Sequence, residues 1–135
     1  MNESPEAAVL ARLRDALQTL NSAAGWVHVL NRKWWVDFPA EGSRESLPAL
    51  ATKLALIHSE ISETLEGLRK GQPDSHLPHR KAEEVELADG VIRILDYSAK
   101  RGFDLAGAII EKIQYNLSRF DHTPEARAAD GGKKF

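Results

Sequence analysis

Two short acidic repeats carry the chemistry open to this sequence: Glu60-Ile61-Ser62-Glu63 and Glu86-Leu87-Ala88-Asp89, with 22 residues between them. Carboxylates three residues apart project from one face of a helix, about one turn apart. Two such helices packed antiparallel can hold a hard divalent cation, and Mg²⁺, which prefers oxygen ligands, usually serves phosphate chemistry. Four acids buried without a counter-ion would be prohibitive, whereas a metal reverses that balance. Arg93 follows Asp89 by one further turn, placed to meet a phosphate or to steady a carboxylate. A single pair of this kind also occurs on solvated helix faces. Here both pairs fall on the two most apolar helical segments of the chain.

The elements that must position these acids follow from apolar periodicity. Ser4-Pro5 has the grammar of a helix start, and Leu10, Leu13, Leu17 and Leu20 continue an amphipathic stripe that should end between Asn21 and Gly25. Residues 26–48 lose the periodicity while carrying Trp26, Trp34 and Trp35, and read as an irregular connection with a short helix around 26–31. Leu50, Leu54, Ile57, Ile61, Leu65 and Leu68 then form a long stripe ending near Gly71, with Leu56, Glu60 and Glu63 on a second face. After a polar loop, a helix over 82–100 combines Leu87, Val91, Ile94, Leu95 and Tyr97 with a polar stripe of Glu86, Asp89, Arg93 and Asp96. A last helix over 104–120 is capped by Asp104 and should bury Ile109, Ile113, Leu117 and Phe120, leaving Lys112, Asn116 and Arg119 on another side. No strand-like alternation occurs. The expectation is an all-α single domain spanning 1–135, an antiparallel bundle of four main helices with its core over about 50–120 and a polar tail over 121–135.

Composition narrows the function classes. Eighteen Lys plus Arg against twenty Asp plus Glu give a net charge of −2, which argues against broad salt-driven binding to nucleic acid or to an anionic membrane. Without cysteine, disulfides, thiolate chemistry and thiolate zinc sites are excluded. The acidic start Met1–Glu6 is no secretory signal, and no run reaches the roughly 18 apolar residues of a membrane span. A cytoplasmic location is expected, in the host if the gene is viral.

The two acidic segments resemble a known family. Leu56-Ile57-His58-Ser59-Glu60-Ile61-Ser62-Glu63 with Glu66-Gly67 is similar to the first signature of MazG-like nucleoside triphosphate pyrophosphohydrolases, and Glu86-Leu87-Ala88-Asp89-Gly90-Val91-Ile92-Arg93 to the second. The likeness covers about 50–120. It implies an all-α homodimer or homotetramer that cleaves (deoxy)nucleoside triphosphates between the α- and β-phosphates, releasing the monophosphate and pyrophosphate to trim or cleanse a nucleotide pool. Carried over, Glu60, Glu63, Glu86 and Asp89 would bind Mg²⁺, with Mn²⁺ as a substitute; a carboxylate not fully engaged by metal would accept the water proton, and Glu63 is preferred for that role. Lys112 and Asn116 match positions that contact phosphate, and Arg93 and Arg119 could stabilise phosphate charge. Ser59 departs from the pattern, since many relatives carry a further glutamate there, and leaves open both the metal count and which carboxylate serves as base.

Trp34 and Trp35, with Asp37, could form a platform that stacks on a base and reads its edge; the alternative is that they cover the core or an interface. The five histidines fit no compact zinc spacing, and His58 is expected to pack on the apolar side of its helix. No glycine loop of the GxxxxGK type occurs. Rival readings are a dUTP-specific pyrophosphatase and a non-catalytic helical nucleotide-binding or interaction module.

Overall fold

The computed structural model describes residues 5–119 and 123–128, and all regular structure among them is helical. Among the described residues six α-helices are formed: α1 (Pro5–Leu17), α2 (Leu20–Asn31), α3 (Ser46–Lys70), α4 (Ala82–Lys100), α5 (Leu105–Ser118) and α6 (Pro124–Ala128). A 3-10 helix, Arg32–Trp35, follows α2 directly. The all-α expectation holds. The expected first helix is instead two, because the chain turns at Gln18, whose backbone and side-chain amides both donate to Asp15. Helical structure then continues to Trp35, well into the stretch read as irregular. Phe120, His122, Lys133 and Lys134 lie outside the described residues.

Two compact units are distinguished. One combines the chain up to Asn21 with the chain from Asp104 onward; the other is Ser22–Phe103. In the first, α1 packs on α5. Asp104 caps α5 by accepting from the Gly107 N–H at 2.9 Å, and Asn21 donates to the same carboxylate at 2.7 Å. Ile110 is the buried apolar residue of α5, while Ile109 and Ile113 are half-buried and Leu117 is exposed. The expected buried stripe is therefore rotated by about one position: the side of α5 near α1 runs through Gly107 and Ile110.

The second unit is built on the α3–α4 hairpin. Gly71 ends α3 with φ of 63°, a left-handed conformation that glycine adopts without steric cost. The loop that follows is tied by a Pro73–Lys81 bridge, and the buried Asp74 carboxylate accepts the backbone N–H groups of His76 and Leu77. The helices run antiparallel, with Gly67 beside Ala82 and Glu83, and Glu60 beside Gly90 and Arg93. At Gly67 the approach leaves no room for a side chain, since a Cβ would lie 2.8 Å from the Glu83 nitrogen.

The packed faces differ from those that periodicity suggests. α3 turns Glu60 and Gly67 toward α4, and α4 answers with Gly90 and Arg93. Much of the apolar stripes is left outward: Leu54, Leu65 and Leu68 on α3, and Leu87, Val91 and Ile94 on α4, are exposed, while Leu50, Ile57, Leu95 and Tyr97 are half-buried and Ile61, half exposed, reaches Gly90 with its Cδ1. His58 turns outward with them and is exposed rather than packed. Small and polar residues allow close approach at the seam, and several of the larger apolar side chains take the outside.

Candidate functional site: a carboxylate group beside an aromatic-walled cavity

α3 and α4 bring three of the four motif acids together. One carboxylate oxygen from each of Glu60, Glu63 and Glu86 lies within 4.8 Å of the others. Glu60 is 5% exposed, and its Oε1 accepts from Arg93 Nε at 2.6 Å. Glu86 is half-buried and Glu63 exposed. Burial pushes the Glu86 carboxyl above its ordinary value, and the like charges of Glu63, Glu60 and Asp89 push in the same direction. Asp89, one turn along α4, is outside the three-oxygen group but near enough for its charge to act on Glu86.

The donor set suits a hard cation. Oxygen ligands about 2.1 Å from an octahedral ion stand roughly 3.0–4.2 Å from one another. One oxygen from each of the three carboxylates lies within 4.8 Å of the others, close to that spacing. They could bind a metal ion, and a cation there would relieve the mutual repulsion that raises Glu86. Ser59 takes no part in this arrangement, since its hydroxyl donates to the Leu56 carbonyl in its own helix.

Glu63 and Glu86 line a depression with Gly67, Lys70 and Asp74, whereas a separate cavity of about 410 Å³ is reached from the group through Asp89 and Arg93. α4 supplies Asp89, Ile92, Arg93, Asp96 and Tyr97, and α3 supplies Lys53 and Leu56. The opposite wall is Asn31, Trp34 and Trp35, from the end of α2 and the 3-10 helix. Adjacent tryptophans have opposite fates. Trp35 is 7% exposed, packs on Phe38 and His28, and donates its indole N–H to Asp96 Oδ2 at 2.9 Å. Trp34 is 65% exposed on the rim. Asp37 is not brought into this cavity; it lines a separate depression on the other side of Trp34, with Lys33 and Thr52.

Lys53 and His28 are participants that spacing did not reveal. Lys53 Nζ donates to the Trp34 carbonyl at 3.0 Å and lies 4.4 Å from the Trp35 ring centroid. His28 Nδ1 lies 2.6 Å from Asp96 Oδ1. Their partners are a backbone carbonyl, an aromatic face and an acid 68 residues away. No local pattern encodes such contacts.

The remaining expected phosphate contacts belong to the other unit. Lys112 is exposed with its ammonium 4.8 Å from the Tyr115 ring centroid, and the Arg119 guanidinium is 5.7 Å from the same ring. Asn116 is half-buried, and its Oδ1 has no hydrogen-bond partner. No helix among the described residues is long and apolar enough to cross a membrane. In comparisons with known proteins, no family model, curated protein or solved structure matches the chain.

Proposed function

We propose that the chain is a MazG-like nucleoside triphosphate pyrophosphohydrolase that works with Mg²⁺, or with Mn²⁺ in its place. The observation that carries this reading is the convergence of Glu60, Glu63 and Glu86, with Asp89 and Arg93 leading from that group into a cavity lined by Trp34 and Trp35. The paired ExxE and ExxD signatures support it. A divalent cation bound by these acids and Asp89 would neutralise triphosphate charge and favour departure of pyrophosphate.

The chain's own residues then have separable tasks. Glu63, exposed at the edge of the group, accepts the proton of the attacking water. The oxygen of that water bonds to the α-phosphorus, and the bond from this phosphorus to the oxygen bridging it to the β-phosphorus breaks. Arg93 holds Glu60 and lines the cavity, so its guanidinium can also face a phosphate oxygen. Lys112 and Asn116 are assigned to phosphate as the resemblance implies, and Arg119 as a further cation for phosphate charge. Trp34 offers its face to the base, and Trp35 acts as the wall behind it.

The protein is further proposed to act as a homodimer or homotetramer. Leu54, Ile61, Leu65 and Leu68 with Leu87, Val91 and Ile94 form an exposed apolar surface on one hairpin, and a second copy of the same surface would cover it. Ile61→Glu with Leu65→Glu should shift the mass measured by light scattering to that of the monomer.

Incubation with Mg²⁺ and a panel of nucleoside and deoxynucleoside triphosphates, dUTP included, tests the reaction. Monophosphate plus pyrophosphate is the expected product pair. Turnover of dUTP alone would favour the dUTP-specific reading, and no turnover with either metal would leave the non-catalytic module.

A further inference from the structure

We infer that Asp96 is a positioning residue that sets the aromatic wall of the cavity at a fixed place relative to the carboxylate group on the same helix; this rests on the pyrophosphohydrolase reading. Asp96 is 8% exposed, although a carboxylate is costly to bury. Its oxygens are separately committed, Oδ1 to His28 Nδ1 at 2.6 Å and Oδ2 to Trp35 Nε1 at 2.9 Å. It therefore joins two segments to α4: α2 through His28, and the 3-10 helix through Trp35. With both oxygens engaged, it is poorly suited to reading a ligand itself.

The same helix carries both ends of the proposed site. Glu86 and Asp96 are ten residues apart on α4, about 15 Å along the axis at 1.5 Å per residue. That span places a phosphate-binding end and an aromatic end on one rigid element. The 3-10 helix fixes neighbouring residues relative to one another, so holding the Trp35 indole also fixes where Trp34 stands. Lys53 secures the turn from the α3 side, through the Trp34 carbonyl and the Trp35 face. Asp96 thus governs how a base is held, while the bond-breaking groups lie two to three turns away.

The test combines equilibrium binding with kinetics. Tryptophan emission is followed while the wild type and Asp96→Ala are titrated with the four deoxynucleoside monophosphates, and kcat and KM are measured for the best triphosphate. Asp96→Ala should raise Kd and KM about tenfold with kcat changed less than about threefold, the split expected when ground-state positioning is lost. Asp96→Asn, which keeps an acceptor for the indole, should recover most of the affinity. If Asp96→Ala does not fold by circular dichroism, Trp35→Phe decides, because it keeps an aromatic ring, though a smaller one, and removes the N–H; it should reproduce the KM increase. Wild-type Kd and KM in these variants, or loss of kcat at unchanged KM, would overturn the proposal. So would a wild type whose emission responds to no monophosphate. A wild type that binds monophosphates but releases no pyrophosphate would instead defeat the catalytic reading, and the binding titrations would still decide on Asp96.

Discussion

Glu86 and Asp96 lie on one polar stripe of α4, yet their surroundings treat their charges in opposite ways. Asp96 is buried against two ring nitrogens, one for each oxygen. Glu86 faces Glu60, Glu63 and Asp89, and its carboxyl is pushed upward by burial and by those charges. Arg93 brings a guanidinium to Glu60, one cation among several acids. A fully partnered buried acid is what structural positioning requires. An acid crowded by other acids makes sense where a cation is to be bound. The comparison separates two roles that the sequence pattern, with its even run of polar residues, presents as one.

The largest expected effect lies at the crowded end. Glu63→Gln and Glu86→Gln should each lower Mg²⁺-dependent pyrophosphate release by about a hundredfold or more, since each removes a metal-binding oxyanion and Glu63 also the proposed base. Asp89→Asn should cost about as much, as the fourth carboxylate of the proposed ligand set. Helix content by circular dichroism should be unchanged in all three. Active variants would move the reaction away from this group.

Stability should rank the two positions the other way. Asp96→Ala leaves the His28 and Trp35 ring nitrogens without their acceptor, and should lower the free energy of unfolding by about 2–3 kcal/mol. Glu86→Gln removes a repelled charge and should not lower it in metal-free protein. Urea denaturation of the two variants checks the contrast. Equal losses would mean that both acids are structural.

Much of this was legible in the residues. The helical class follows from the spacing of Leu50 to Leu68 and of Leu87 to Leu95, and Gly71 marks the end of α3 because its left-handed φ suits glycine. The meeting of Glu60, Glu63 and Glu86 follows from the two repeats being on adjacent antiparallel helices. What could not be read is which face meets which. Period 3.6 shows that a helix has an apolar stripe, not whether the stripe meets its nearest neighbour or another chain. Hence Leu65 and Leu68 turn outward, and Glu60 takes the seam. The clamp on Trp35 was hidden for a different reason: His28, Lys53 and Asp96 are far apart in sequence, and each alone looks like a surface residue.

Gly67 tests how finely the crowded end depends on helix separation. A Cβ there would stand 2.8 Å from the Glu83 nitrogen, and backbone cannot swing aside as a flexible side chain does. Gly67→Ala should therefore push α3 and α4 apart near Glu63 and Glu86, costing about 1–2 kcal/mol by overpacking. The Asp96 clamp lies toward the other end of the hairpin. The variant should thus lower kcat while monophosphate binding, read by tryptophan emission, changes little. A matching loss of binding would show that the two ends are not mechanically separate.

The smallest effect is a pH dependence whose sign differs between acids. Glu86 has a raised carboxyl pKa in the folded chain, so with rising pH the unfolded chain releases this proton first. Stability of metal-free protein should then fall from about the ordinary carboxylate value up to the raised folded one, and level off above it. Asp74 is the opposite case: the Leu77 and His76 backbone N–H groups hold its carboxyl below the usual range. Its contribution is present above the ordinary value and lost as pH falls through the lowered one. Thermal melts in chelator from about pH 2 to pH 8 can separate the two contributions. Glu86→Gln should abolish the fall on the rising side by an amount below about 1 kcal/mol, discounted because Glu86 is only half-buried. Asp74→Asn should remove only the acid-side loss. Mg²⁺ replaces the proton as the neutralising charge, so it should raise the wild-type melting temperature more at neutral pH than near pH 4. Glu86→Gln should lose most of that gain, and a variant still fully stabilised by Mg²⁺ would show that the ion binds elsewhere.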